Sequence, residues 1–327
     1  MKIGVSFDGF SPFGDALRFA REAVDSGAAS LWAADHLGFR EPMLSCLAFA
    51  LTTTNARLVP TAVSPYLRHP MPTAMQLATL AEAAPGRAEV ALGVGNPLFL
   101  AESGESLDKP IRVMREFVTA LRALWSGEPV HMQGMRFKLA GARMMFKPSA
   151  PIPIYLAPIK EQMLKLTGKI ADGVVLSAGL TTEFTRQSLA IVRAGAEEAA
   201  RDYGALRTAS YISFLAAADR ADAISKVKKQ VSFLLRNKFL AENVASSGIR
   251  VDQEAIIAAM STRDFDTAKR LIPDEAVERF AVAGTVRECC DRLQQYAEAG
   301  LQEVVLLMAG TLDDQRYGLK VMRELSG

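Results

Sequence analysis

Apolar and polar positions along this chain recur in a fixed order: short apolar run, polar loop, amphipathic helix, turn. The clearest unit is 58–94, LVPTAVSPYLRHPMPTAMQLATLAEAAPGRAEVALGV. Leu58–Val63 is a run of β-branched and small residues, which suits a strand buried on both faces. A polar turn, 64–70, follows it. Met71, Ala74, Leu77, Ala78 and Leu80 then recur at three- and four-residue steps, the spacing of one helix face. Pro85-Gly86-Arg87 stops that helix, and Glu89–Val94 is a second apolar run. Strand, loop, helix, turn and strand make one parallel βαβ unit. Its long polar loop follows the C-terminal end of the first strand, where parallel α/β folds place ligand chemistry.

The same reading extends along the chain. It predicts strands at Lys2–Phe7, Ser30–Ala34, 58–63, 89–94, Ile152–Ala157, Gly173–Ser177, Thr208–Ala216 and Glu303–Met308, with helices between them. Pro110 suits the first turn of the helix that runs to Trp125, and Asp219 suits an N-cap for a helix over 221–235. Two stretches break the order. The segment 130–145 alternates like a hairpin turning at Gln133-Gly134. The segment 237–280 reads as short helices joined by polar turns. Eight strand–helix units predict a (β/α)8 TIM barrel, with a doubly wound open sheet as the alternative. No linker or low-complexity stretch argues for a split. The expectation is one domain over 1–327 with insertions at about 128–150 and 237–280.

Composition narrows the functional classes. Of the 327 residues, 50% are hydrophobic, enough for a large core, and the formal charge is only +2. Without a clustered basic stripe, nucleic acid is not an expected partner. No apolar run is long enough to span a bilayer, so no membrane partner is expected. The first residues pass straight into a strand, leaving no room for a signal peptide. Cys46, Cys289 and Cys290 make a poor disulfide framework, and a reducing cytoplasm is the natural reading. His36, His69 and His131 lack metal-ligand spacing, so no metal site is expected.

Candidate chemistry lies at the ends of the strands. Gly93-Val94-Gly95-Asn96-Pro97 follows a buried strand, where glycine lets a ligand approach the backbone closely; a tight rim turn would look the same. It is no dinucleotide fingerprint, because the third glycine and a following helix start are missing. Asp35-His36 ends the second strand, and His36 or His69 could hydrogen-bond a ligand carbonyl or simply satisfy the backbone. Lys160 and Glu161 open a helix after the fifth strand. Lys160 could meet a phosphate there, or both could be solvated surface charge. Ser177, Ala178 and Gly179 form a second turn that could contact a cofactor tail. Phe137, Phe146, Met144 and Met145 could wall a planar ligand or pack ordinarily.

With the strands placed, several motifs resemble a known family. They are 62–70 (AVSPYLRHP), Ala33 with Asp35-His36, Pro85-Gly86-Arg87, 92–95 (LGVG), Gly141-Ala142-Arg143 with Phe146-Lys147, 152–155 (IPIY), 170–174 (IADGV) and Phe280 through Gly284-Thr285. In order and over nearly the whole chain, they resemble the bacterial luciferase-like flavin and deazaflavin oxidoreductases. Among these they are most similar to the methylenetetrahydromethanopterin reductases, which use coenzyme F420.

The resemblance implies a barrel holding F420, or alternatively FMN, with a non-prolyl cis peptide backing the ring, by position Ala62–Val63. It implies cofactor contacts from Ala62, Val63, Ser64, Gly93, Gly95, Asn96, Lys160, Ser177, Ala178 and Gly179. Ser6, Asp35, His36 and Asn96 would meet the substrate, and a homodimer is expected by analogy. The reductases carry acids where this chain has Ser6 and Asn96, and neither residue supplies a proton easily near neutral pH. Asp8 projects from the same side as Ser6 and is a possible substitute. The expected activity is hydride transfer between a flavin-type cofactor and a small organic substrate, a tetrahydropterin being one candidate. Three alternatives stand beside it: an FMN-dependent monooxygenase, a flavin-independent NAD(P)H-dependent pterin or folate reductase, and a non-catalytic flavin-binding or subunit-partner barrel.

Overall fold

The computed structural model describes residues 1–326, apart from the side chains of Leu98 and Ser326. Its strands are β1 (Lys2–Phe7), β2 (Ser30–Ala34), β3 (Arg57–Thr61), β4 (Val90–Leu92), β5 (Val130–Gln133), β6 (Lys138–Ala142), β7 (Ile154–Leu156), β8 (Gly173–Leu176), β9 (Arg207–Ala216), β10 (Val282–Gly284) and β11 (Glu303–Met308). Eight of them pair side by side in the order β3-β2-β1-β11-β9-β8-β7-β4. The named strand pairs of this sheet are parallel. Parallel bridges Leu58–Ala88 and Val63–Leu92 join the two ends. That closure makes a barrel and excludes the open sheet. β10 adds a ninth strand, beside the upper end of β9.

Each barrel strand falls where an apolar run predicts it, but β3, β4, β7 and β8 are shorter. β3 stops at Thr61, because the backbone turns there, and Val63 rejoins β4 only through the bridge to Leu92.

Alternation along the strands divides the barrel into two cores. Outward residues such as Val5, Leu31, Leu58 and Leu92 pack under the helices in the main core. Inward residues form a separate lumen cluster, with Trp32, Val59, Ala91, Tyr155, Val175, Ala209 and Val305 each supplied by a different strand. The lumen is therefore filled at this level.

Below that cluster sits a layer of charge. Arg57 lies 3.0 Å from Glu89 and 2.5 Å from Glu303, and Arg207 also pairs with Glu89. Ser30 donates to Glu303, Trp32 Nε1 donates to Ser30 at 2.7 Å, and Arg57 donates to the Tyr155 hydroxyl at 3.3 Å. Burial works against the Arg57 cation, but Glu303 and Glu89 outweigh it and raise its pKa. Two cations face two anions, so the layer is neutral, as burial demands.

Both breaks in the repeat are built structures. β5 and β6 pair antiparallel as a hairpin. Its tip docks on the loop after β3, with Arg136 donating to Tyr66 O at 2.8 Å and to Pro65 O at 3.2 Å, and stacking 4.9 Å from the Tyr66 ring. The second stretch holds short helices at Ala241–Ser246, Gln253–Ser261, Phe265–Arg270 and Asp274–Phe280. These share a buried cluster with the helix Arg220–Leu235, centred on Val227, Val231, Ile256 and Phe280.

Candidate active site

The strand ends build a ledge of small residues. Thr61–Ala62 is a non-prolyl cis peptide. The sequence placed that bond one residue later, at Ala62–Val63. Val63 is already back in the ladder, its N–H bonded to Ala91 O at 2.9 Å and its carbonyl accepting from Gly93 N at 3.1 Å, so the bend falls before it. A Cβ added to Gly93 would come 2.8 Å from the Ala62 Cβ and 3.6 Å from the Ala157 Cβ. Ala62, Gly93 and Ala157 thus lie side by side across three neighbouring strand ends. Gly95 takes φ +91°, a conformation glycine adopts without strain. Beneath the ledge, the hydroxyl of the half-buried Tyr211 donates to Thr61 Oγ1 at 2.8 Å. Burial raises the pKa of that hydroxyl.

Ser64 proves to be a tie between loops. Its Oγ donates to Val94 O at 3.0 Å and accepts from Tyr66 N at 3.2 Å. Val63 is fully buried behind the ledge. Asn96 is exposed on the next loop, and its carbonyl accepts Leu100 N at 3.0 Å at the start of the helix Pro97–Glu102.

The side toward β1 and β2 is polar and aromatic. Ser6 faces inward, in register with Trp32, and lines a cleft of about 60 Å³ with Asp8, Arg40 and Gln315. Asp35 lies in this region but is engaged: both its oxygens accept from Arg68, each at 3.0 Å. Arg68 also lies 3.0 Å from Glu41. Burial works against the Arg68 cation, and Asp35 and Glu41 outweigh it, raising its pKa. Asp35 therefore ties the loop after β2 to the loop after β3. His36 is held with Nδ1 3.0 Å from Asp8 O and its ring stacked on Phe10, centroids 5.5 Å apart. His69 caps the helix Pro70–Ala83, its Nδ1 accepting from Met71 N at 3.2 Å.

Across the mouth, Lys160 is the N-cap position of the helix Glu161–Ile170, which has no side-chain cap. A helix N-terminus without a side-chain cap, beside a cation, suits an anion. The Lys160 ammonium sits 5.4 Å from the Phe239 ring of the second insertion, and Glu161 pairs with Lys165 at 3.1 Å. Ser177 Oγ turns to Ala178 O at 3.3 Å. Ala178 and Gly179 are buried, and Gly179 faces Leu240 and Leu234. The buried Asn243 clamps this turn, donating to Gly179 O at 2.8 Å and accepting from Thr181 N at 3.0 Å.

The structure therefore brings Ala62, Gly93, Gly95, Asn96, Ser6 and His36 to one mouth. It gives Asp35, Ser64 and Gly179 tethering contacts. Ala157, Arg68 and Asn243 were missed. Ala157 was the last residue of the expected fifth strand, and its small size was the available signal. Nothing in the sequence marks Asn243 as the partner of a turn more than sixty residues earlier.

Among the described residues, no group of His, Cys, Asp or Glu is placed to hold a metal, and no helix is long and apolar enough to cross a membrane.

Known proteins share this architecture. A luciferase-like monooxygenase family model matches residues 1–303. The 5,10-methylenetetrahydromethanopterin reductase of Archaeoglobus fulgidus is 28% identical over 309 residues, covering 93% of this chain and 92% of that protein. An F420-dependent glucose-6-phosphate dehydrogenase of Beutenbergia cavernae is 30% identical over 285 residues, covering 81% and 82%. The coenzyme F420-dependent tetrahydromethanopterin reductase of Methanopyrus kandleri superposes with a TM-score of 0.88 over 99% of this chain and 97% of its own, at 24% identity.

Proposed function

The chain belongs to the luciferase-like monooxygenase family and is an enzyme, and from that premise we propose that it holds F420 in the barrel mouth and transfers hydride between the deazaflavin and a small organic substrate. The observation that carries this reading is the ledge of Ala62, Gly93 and Ala157. A Cβ at Gly93 would crowd the ledge, whereas its absence leaves a flat floor for a planar ring. The uncapped start of the helix Glu161–Ile170, with Lys160 beside it, suits the cofactor's phosphate. When bound, the deazaflavin supplies a two-electron hydride donor or acceptor. The protein supplies position and dryness. Trp32 and the lumen cluster close the barrel below the ring, and the ledge backs one face, leaving the other for substrate. Ser6, His36 and Asn96 hold the substrate side. A tetrahydropterin remains within the substrate range, with Ser6 and Asn96 orienting it and a proton coming from Asp8 or water. F420 is favoured over FMN because F420-dependent glucose-6-phosphate dehydrogenases stand among the relatives similar over most of the chain.

A cytoplasmic homodimer of single-domain chains completes the reading. Leu44 and Leu51, 66% and 75% exposed on the helix Pro42–Thr52, offer apolar surface for a second copy, and light scattering reads the mass directly. Titrating the apoprotein with F420, FMN and NADPH tests the cofactor. Tight binding of F420 supports the proposal. FMN alone would shift it to the monooxygenase reading, NADPH alone to direct pterin or folate reduction, and no binding to a non-catalytic barrel.

A further inference from the structure

Two loops and the short helix Pro97–Glu102 carry aromatic rings to one sector of the mouth. Phe10 follows β1, His36 and Phe39 follow β2, and Phe99 follows β4. Phe10 lies 4.4 Å from Phe39 and 5.5 Å from His36, centroid to centroid, and His36 meets Phe99 edge-on at 6.4 Å. The His36–Phe99 contact runs from the β2 loop to the helix after β4 and so spans the end of β3, where Thr61–Ala62 turns into the ledge. Phe10 and Phe39 remain 54% and 51% exposed. Two half-bare phenyl rings beside a ligand ledge are apolar area waiting for a planar partner.

Three charged groups stand around these rings. Arg40 donates to the carbonyls of Gly9 and Phe10 at 2.8 and 3.1 Å, and Arg68 is taken by Asp35 and Glu41. Asp8 is exposed beside them, its Oδ1 accepting from Phe10 N at 2.8 Å. Arg68 is thus neutralised by carboxylates, whereas the exposed Arg40 bonds only neutral carbonyls. The cleft beside Ser6 holds only about 60 Å³, against the roughly 300 Å³ or more of ordinary ligand pockets. A ring-sized substrate does not fit within that cleft, whereas the aromatic group offers it an open face.

We propose that Phe10, His36, Phe39 and Phe99 form the substrate clamp and select a planar aromatic or heteroaromatic substrate. This rests on the mouth being the active site, as proposed above. It separates the chain from its sugar-phosphate-oxidising relative while leaving pterin-like and other aryl substrates inside its range.

Calorimetric titration with 2-naphthol, biopterin, cyclohexanone and glucose 6-phosphate tests it, on both the apoprotein and the F420-saturated protein. The two planar compounds should bind at least about tenfold more tightly than the other two, with or without F420. Phe10→Ala and Phe39→Ala should each weaken them about three- to tenfold, the size of one aromatic contact, without changing F420 affinity. Phe39→Leu, which keeps apolar bulk without the π face, should lose most of the same factor. Glucose 6-phosphate or cyclohexanone binding as tightly as naphthol would overturn the clamp. So would unchanged naphthol affinity in both alanine variants, or naphthol binding that vanishes once F420 is present. If F420 fails to bind but naphthol binding still falls in Phe10→Ala, the clamp stands and the cofactor assignment falls.

Discussion

At the N-terminal end of the barrel, Arg57, Glu89, Arg207 and Glu303 meet across the lumen and satisfy one another. At the C-terminal end, β3 and β4 run on to Ala62 and Gly93, beside Ala157 after β7 and Ser6 on β1. There the charged groups stand at the rim, where Arg68, Asp35 and Glu41 stitch loops together. One end is closed by charge, and the other is kept flat and neutral. The difference separates stability from chemistry within one set of strands, as the fold allows. A neutral floor also leaves the charge of a bound ring to be set by groups chosen at the rim.

The largest effect should come from breaking the closed end. Arg57→Met leaves the buried Glu89 and Glu303 short of a cation and should cost about 3–5 kcal/mol in urea unfolding, the usual penalty for stranding a buried charge. F420 affinity of the folded variant should not change. A loss under about 1 kcal/mol would mean that water reaches the layer.

At the open end, Gly93→Ala puts a methyl group against Ala62. It should cost about 1–3 kcal/mol by overpacking and weaken F420 at least several-fold. Unaltered F420 titration would remove the ledge from the ring site. Asn243→Ala strands Gly179 O and Thr181 N and should cost about 1–3 kcal/mol. Hydrogen exchange should quicken across 177–181 first; equal protection there would show that the insertion does not hold the turn.

The smallest effect is one of pH. Burial opposes ionisation of Glu116, but the N–H groups of Arg136 and Met135 outweigh it, so its folded-state pKa is lowered. A lowered carboxyl pKa stabilises above the unfolded value, and that contribution is lost as pH falls through the folded one. The hairpin tip should therefore exchange faster below the ordinary carboxylate range while the barrel strands hold, and Glu116→Gln should flatten this dependence.

The strands were legible because buried parallel strands are apolar runs of characteristic length, and those runs stand out against the helical periodicity between them. The eight-unit order and the ledge glycines followed from that. Periodicity cannot place a single peptide bond, and the bend at β3 fell one residue before the expected place. Asp35 sat where a barrel places chemistry, but its carboxylate is occupied by Arg68, from the next loop. A position in sequence shows where a side chain stands, not who has already engaged it. The second insertion, 237–280, carried no repeat to anchor it to the barrel, so Asn243 and its grip on the Ser177–Gly179 turn were invisible.

The seam between β3 and β4 gives the ledge a further meaning. Backbone bonds join the two strands near Leu58 and again at Val63, with residues 59–62 unbridged between them. Ala62 stands on one side of that seam and Gly93 on the other. A flat molecule resting on both works as a buckle across the opening in a hoop. Filling the site should tighten the whole ring of strands, and emptying it should let the hoop slacken first at its clasp.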